Sequence, residues 1–320
     1  MTDQTRGNRD VILRFFEMTN TGDVESMEEV YDEEMLTVHP QTRERIQGLE
    51  AHRLMARGFQ ELGGITISEK EREFLGGDEE RYLLTPLFTM VKIQGTGETL
   101  VVTAKMRYPD GSDWYNIGLT TFRRGKLLKR VLFFAPTFDP PDWRAQWIER
   151  VESGRGLQVE QRETAAPGVS NHVNRDAAVR LFELMDTGEY AHLDEVFRTE
   201  VVTEYPQSGE LVRGLENLRN IMNHYPGGNP RVSPEERVLV GDRGEHPVPT
   251  PTDSTLRIHD AGDRLVSSIK TRYPDGSDWY TVSVFSFLEG KISKQVLYFA
   301  PVMPAPEWRA QWVVPEIGEY

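Results

Sequence analysis

RYPDGSDWY stands at Arg107–Tyr115 and again, letter for letter, at Arg272–Tyr280. A nine-residue identity is hard to reach by chance, and it extends outward. Downstream, FFAPTFDPPDWRAQW (Phe133–Trp147) answers YFAPVMPAPEWRAQW (Tyr298–Trp312) at the same offset of 165 positions. Upstream, NRDVILRFFEMTNTGD (Asn8–Asp23) answers NRDAAVRLFELMDTGE (Asn174–Glu189), and VHPQTRERIQGLE (Val38–Glu50) answers EYPQSGELVRGLE (Glu204–Glu216), both at 166. The order of segments is kept and the offset hardly drifts. A period this long is a duplicated domain rather than a solenoid repeat. The reading is therefore one domain over residues 1–150 and a second over 171–320. They are joined by the polar, Gly- and Pro-containing stretch Glu149–Ser170, a linker centred on 151–170. Each domain is long enough to build a core without staples.

Composition excludes several function classes. Acidic residues number 51 against 37 basic ones, a formal charge of −14, and no Lys/Arg run breaks that balance. Phosphate-backbone binding needs a basic face, so no nucleic-acid partner is expected. The chain has no Cys, which removes disulfides, thiolate catalysis and Cys-ligated metals. The polar start MTDQTRGNRD does not read as a signal peptide. No apolar run reaches the roughly 18 residues of a membrane span. The expectation is a cytoplasmic protein with no membrane partner.

In the first repeat, Val11, Ile12, Phe15, Phe16 and Met18 recur at helical spacing, and Thr21-Gly22 ends the helix. Val24–Tyr31 reads as a short second helix, Met35–Pro40 as a strand closed by proline, and Gly48–Phe59 as a third helix. Strands follow over Ile65–Leu75, Tyr82–Ile93, Thr99–Tyr108, Ser112–Phe122 and Leu127–Phe134, with Pro-Asp-Gly-Ser and Arg124-Gly125 as turns. Helices first and antiparallel strands after make an α+β fold, a curved sheet with helices on one face. The second repeat follows the same plan except at Pro247, Pro249 and Pro251, which predict a weaker third strand than Arg81–Thr89. The strand alternation leaves apolar residues on both sheet faces, Ile117 and Leu119 opposite Trp114 and Phe122. That predicts a covered outer face, and hence an internal pseudo-dimer joined through the sheets. Further self-association is left open.

This order of elements, with FEMTNTGD (Phe16–Asp23) closing helix one and a strand ending in His-Pro or Tyr-Pro before a Gly-Leu-Glu helix, resembles the SnoaL-like branch of the nuclear transport factor 2-like superfamily. The FAP…WRAQW tails are similar to those of a bacterial subgroup of that branch. The resemblance covers both repeats and implies two tandem cone-shaped α+β barrels, in each of which three helices and a curved, mostly antiparallel sheet enclose an apolar pocket. Relatives include ketosteroid isomerase, scytalone dehydratase, limonene epoxide hydrolase and polyketide cyclases. Fold alone does not give the reaction. The position of the isomerase general-base Asp holds His39 and Tyr205 here. That of its oxyanion Tyr holds Phe15 and Leu181, and its oxyanion Asp falls near Gly118 and Ser283. Isomerase chemistry by that route is therefore not expected. The epoxide hydrolase set of Asp, Arg and Asp is not matched either, since Asp110 and Asp275 belong to turns.

His39 is the first candidate. Alternation places it with Met35 and Thr37 on the pocket face. It is either a general base, neutral in an apolar pocket, or a core histidine bonded to a loop carbonyl. Tyr205, at the same place in repeat two, is a hydrogen-bond donor to a substrate oxygen or an aromatic wall. The Gln-Thr/Ser-x-Glu stretches ending at Glu44 and Glu210 read as caps for helix three or its loop. Trp114, Asn116, Phe134 and their counterparts Trp279, Thr281 and Phe299, with Phe15 and Met55, fall on the phase that faces the pocket, as binding wall or as core. His224, with Tyr225, closes helix three of repeat two as a pocket lid or a helix cap. The WRAQW tails are expected to clamp over the partner unit or their own sheet. No motif for a nucleotide, metal or nucleophilic serine occurs, so no cofactor and no metal are expected. Two functions remain: a cofactor-free lyase, isomerase or cyclase moving a proton on a small, mostly apolar carbonyl compound, with His39 and Tyr205 as catalytic groups, or a non-catalytic protein that binds a small apolar or aromatic ligand.

Overall fold

The computed structural model describes residues 2–61, 90–108, 111–151, 171–226, 231–232, 240–241, 256–260, 264–273 and 276–315. Two compact units emerge. Unit 1 gathers Met1–Thr137 with Val302–Tyr320, and unit 2 is Phe138–Pro301. The units are the two repeats with their tails exchanged: the WRAQW segment of each repeat belongs to the other unit, the first of the two placements expected of it.

Helix α1, Asp3–Thr21, is closed at its start by the Thr2 hydroxyl, which accepts from the Thr5 N–H. It ends at Gly22, whose φ of 72° only glycine adopts freely, with the Gly22 N–H on the Met18 carbonyl. Ile12 and Phe16, one turn apart, are buried beneath it. Helix α2 is only Met27–Val30. Tyr31, expected inside that helix, instead opens strand β1, Tyr31–His39. Tertiary contacts decide this: Tyr31 pairs with Leu127, and Asp32 receives the Arg123 Nε–H at 3.0 Å. Strand β2, Glu44–Gln47, has Ile46 as its one apolar residue and carries no strand signal of its own. It returns antiparallel to β1. Helix α3 follows over Leu49–Glu61, then β3 Met90–Gln94, β4 Thr99–Arg107, β5 Asp113–Arg123 and β6 Lys126–Pro136. Arg124 and Gly125, both at positive φ (53° and 74°), make the two-residue turn that matches strand twist.

Unit 2 repeats the plan: a 3-10 turn Asp142–Trp147, β7 Glu149–Arg150, α4 Asn171–Thr187, a 3-10 turn Tyr190–Glu195, β8 Phe197–Tyr205, β9 Glu210–Arg213 and α5 Leu215–Asn223. Short β10 Arg231–Val232 and β11 Val240–Gly241 precede β12 Leu256–Asp260, β13 Leu265–Arg272, β14 Asp278–Leu288 and β15 Lys291–Pro301. Strand β16, Val314–Pro315, completes unit 1. The sheet orders are β16-β2-β1-β6-β5-β4-β3 and β11-β12-β13-β14-β15-β8-β9-β7. In each, the first long strand runs parallel to the last (β1 with β6, β8 with β15), and the neighbouring long strands are antiparallel. The tandem α+β plan, helices with a mostly antiparallel sheet in each unit, is the one expected. Both sheets are open, with end strands that have a single neighbour. The proline-bearing stretch 247–251, its counterpart 81–89, the strand read over 65–75, and Asp110 and Asp275 lie outside the described residues.

The duplicated nonapeptide owes its constancy to one corner. Tyr108 exchanges backbone hydrogen bonds with Ser112 and Gly111 (2.9 Å each), and Gly111 has φ 85°. The Trp114 indole N–H donates to the Ser112 hydroxyl at 2.9 Å and packs edge-on to Tyr108 at 6.1 Å. Asp113 meets Lys105 across the hairpin at 3.7 Å. Tyr273, Ser277, Trp279, Asp278 and Lys270 repeat every contact. Tyr108, Gly111, Ser112, Asp113 and Trp114 are each used by this corner, which explains why both copies keep them.

Candidate functional site

Pro40 and Pro206 have no N–H, so the first long strand of each unit stops there. The Gln side chain that follows takes over the ladder. Gln41 Nε2 donates to the Phe134 carbonyl (2.9 Å) and its Oε1 accepts from the Phe134 N–H; Gln207 does the same to Phe299. The acid three residues on does not cap helix three as expected. It receives the tail arginine: Arg144 binds Glu210 through both Nε (2.9 Å) and Nη2, and Arg309 binds Glu44 (Nε–Oε2 3.1 Å). All four residues are buried. The flanking tryptophans seat the tails. Trp143 packs edge-on to Tyr225 at 5.3 Å and Trp147 lies 5.0 Å from the His224 ring. The Trp312 indole lies directly over α3, where a Cβ on Gly58 would collide with it. Gly58 and His224 are equivalent positions, so the glycine inside α3 is explained by the indole above it.

Beneath the Arg144 tail, unit 2 holds a cavity of about 480 Å³. Its walls are aromatic and aliphatic, including Trp143, Trp279, Phe299 and Leu218, and Tyr205, Tyr225, Tyr273, Thr281, Ser283 and Gln295 bring polar groups to it. Tyr205 is stacked on Phe299 at 6.1 Å, and the Arg144 guanidinium lies over its ring at 4.5 Å from the centre. Burial pushes its phenol up to about 12 against the pull of Arg144, and burial, with the hydrogen bond to Tyr225, raises Tyr273 as well. At neutral pH these phenols stay protonated and can donate. Of the residues predicted for this pocket, Tyr205, Trp279, Thr281 and Phe299 line it. His224 is instead exposed at the end of α5, with Nδ1 against the Asn220 carbonyl at 2.8 Å.

The interior of unit 1 has a different chemistry. His39 is 4% exposed, stacks on Phe134 at 5.7 Å, and neither ring nitrogen has a hydrogen-bond partner. The loop carbonyl that was its alternative partner is not bonded. Burial, with Arg309, Arg130 and His52 adding to it, holds its pKa well below the ordinary 6.5. Trp114 and Phe134 are half-buried and Asn116 is buried on the neighbouring strands, with Phe15 on α1 and Met55 on α3 half-buried. Three residues not singled out from sequence complete this interior. His52 bridges Gly48 O (Nδ1, 2.7 Å) and the Thr37 hydroxyl (Nε2, 2.8 Å). Arg130, opposite Thr37 in the β1–β6 register, lies over the Phe15 ring at 4.4 Å and hydrogen-bonds the buried Tyr31. The signal for them was the divergence of the repeats: unit 2 has Leu218, Gln295 and Phe197 at these places.

Burial lowers His52 to about 4. The unfolded chain then binds a proton near 6.5 that the folded chain refuses, so this part of the stability is complete above 6.5 and lost as pH falls from 6.5 to about 4. The loss is about 3 kcal/mol. His52→Leu, which installs the unit-2 residue, is expected to flatten the urea-midpoint decline between pH 7 and 4.5. An unchanged decline would show that His52 is not the proton-refusing group.

Two open α+β units, each a sheet with helices over its interior, define the architecture of the chain. No family model matches it, and no curated protein does. Among solved structures, it is similar to an NTF-2 like protein of unknown function from Burkholderia xenovorans LB400 (27% identity, 47% of this chain and 100% of that one, TM-score 0.37). It is also similar to a candidate ketosteroid isomerase from Kribbella flavida DSM 17836 (16%, 46% and 93%, 0.34). A third is a candidate SnoaL-like polyketide cyclase from Jannaschia sp. CCS1 (15%, 42% and 89%, 0.28). Each spans about half of the present chain. Among the described residues no cluster of His, Asp and Glu is placed to hold a metal, and no helix is long and apolar enough to cross a membrane.

Proposed function

We propose that the protein takes up a small, flat, mostly apolar carbonyl compound without a cofactor, and that the unit-2 cavity is its binding site. The observation that supports this is the 480 Å³ cavity itself, a size and lining suited to a small ligand. Its aromatic walls would stack on an unsaturated skeleton, and the protonated phenols of Tyr205 and Tyr273 would donate to the carbonyl oxygen. Binding of 2-acetylnaphthalene, followed by quenching of tryptophan emission, tests it. Thr281→Trp, which fills the cavity from β14, is expected to weaken binding by about tenfold or more. Equal affinity in the variant would remove the cavity from consideration.

A second reading, proton-transfer catalysis of the lyase, isomerase or cyclase kind, is favoured by His39. A buried imidazole with both nitrogens unpartnered is equipped to take a proton at neutral pH, with Tyr205 as a donor in the other unit.

A further inference from the structure

We infer that the interior of unit 1 is a carboxylate-binding site centred on Arg130, with His39 as a second hydrogen-bonding group. This goes beyond the unit-2 cavity and stands or falls independently of it.

Arg130 is 8% exposed. A buried guanidinium keeps its charge, and the usual company of such a group is a carboxylate. Among the described residues two other arginines are buried to this degree, Arg144 and Arg309, and each has one, in Glu210 and Glu44. Among the described residues Arg130 has none: its companions are the Tyr31 hydroxyl and the Phe15 face, and its Nε has no partner. His39, on the same face of the sheet two residues beyond Thr37, leaves two more nitrogens unpartnered. One interior thus carries an unneutralised cation and two unused N–H donors, the Arg130 Nε–H and the single N–H of a neutral His39, a combination that costs stability unless something else supplies the oxygens.

The shape indicates what that is. A carboxylate is planar and meets a guanidinium side-on through two parallel bonds. The aromatic neighbours, Phe15 against Arg130 and Phe134 against His39, keep partial exposure, so the ligand body is apolar. Unit 2 supports the assignment by contrast. Gln295, at the Arg130 position, is satisfied by Thr203 at 2.8 Å, and Tyr205 replaces His39. The charge and the unused nitrogens disappear together.

Benzoate is the probe and benzamide its neutral control, titrated into the whole chain by calorimetry at physiological salt. Benzoate is expected to bind about tenfold more tightly than benzamide. Arg130→Gln, the residue unit 2 uses, is expected to abolish that preference while leaving the benzamide affinity unchanged, and to raise the unfolding temperature of the ligand-free chain. His39→Gln gives a second, smaller loss of benzoate affinity and serves should Arg130→Gln fold poorly. Equal affinity for the two probes, no benzoate binding, or full benzoate preference in both variants overturns the proposal.

Discussion

Glu210→Ala is expected to destabilise unit 2 by about 3–5 kcal/mol, the cost of stripping a partner from a buried ion pair. The side chains of Arg144 and Glu210 are 7% and 0% exposed, and the contact is two-pronged. Without Glu210, a guanidinium remains in a place where water cannot replace the lost oxygens. Ser208, whose hydroxyl donates to the same carboxylate, loses its acceptor too. Exposed pairs set the comparison. Arg14 and Glu17, 38% and 63% exposed, meet in water, where ion pairs contribute little, so Glu17→Ala is the control. The Arg144→Ala, Glu210→Ala double variant is expected to be more stable than the sum of the singles predicts, because removing both partners leaves no orphaned charge. Urea titration measures all of these. A loss below about 1 kcal/mol for Glu210→Ala would mean that the tail is not fastened by this pair. The cavity is also involved, since Arg144 covers Tyr205, and the same variants are expected to weaken its ligand.

The duplication, the helix–strand order and the inward turn of Tyr205 at the end of β8 were legible in the sequence because they rest on local signals: an identical turn, a helical period, a strand ended by proline. Strands β2 and β16 were not, because their pairing partners supply what their composition lacks; β16 is two residues that find Glu44 and Arg45 from the far end of the chain. The Arg144–Glu210 and Arg309–Glu44 pairs were half legible. Each residue was visible as repeated, but 66 and 265 positions separate the partners, and no periodicity joins them. Arg130 was hidden by its neighbour. Lys129-Arg130 reads as solvated charge near a turn, yet strand alternation sends one of the pair inward, and Arg130 is the buried one. The substitution by Gln295 was the available clue: a solvated arginine has no reason to become a buried glutamine in the other copy.

His39→Ala is expected to remove most of the turnover on a carbonyl substrate, by roughly 100-fold or more, while leaving the helix and strand content intact. A general base must be unprotonated at working pH and must have a nitrogen to spare. His39 has both: its imidazole is held neutral by burial beside Arg309 and Arg130, and its nitrogens are unclaimed. The pH profile separates this role from a merely structural one. With the pKa held well below 6.5, activity is expected to stay level as pH falls through 6.5 and to decline only below it. A histidine of ordinary pKa would lose half its activity near 6.5. Nitrogen-15 shifts of the ring give the same answer without a substrate, reporting neutral imidazole at pH 6. His39→Asp keeps a base in place and is expected to retain part of kcat, whereas Tyr205→Phe, in the other unit, is expected to cost less than His39→Ala. Full turnover by His39→Ala, or a ring that titrates at 6.5 or above, would end the case for His39 as the base and leave ligand binding as the function.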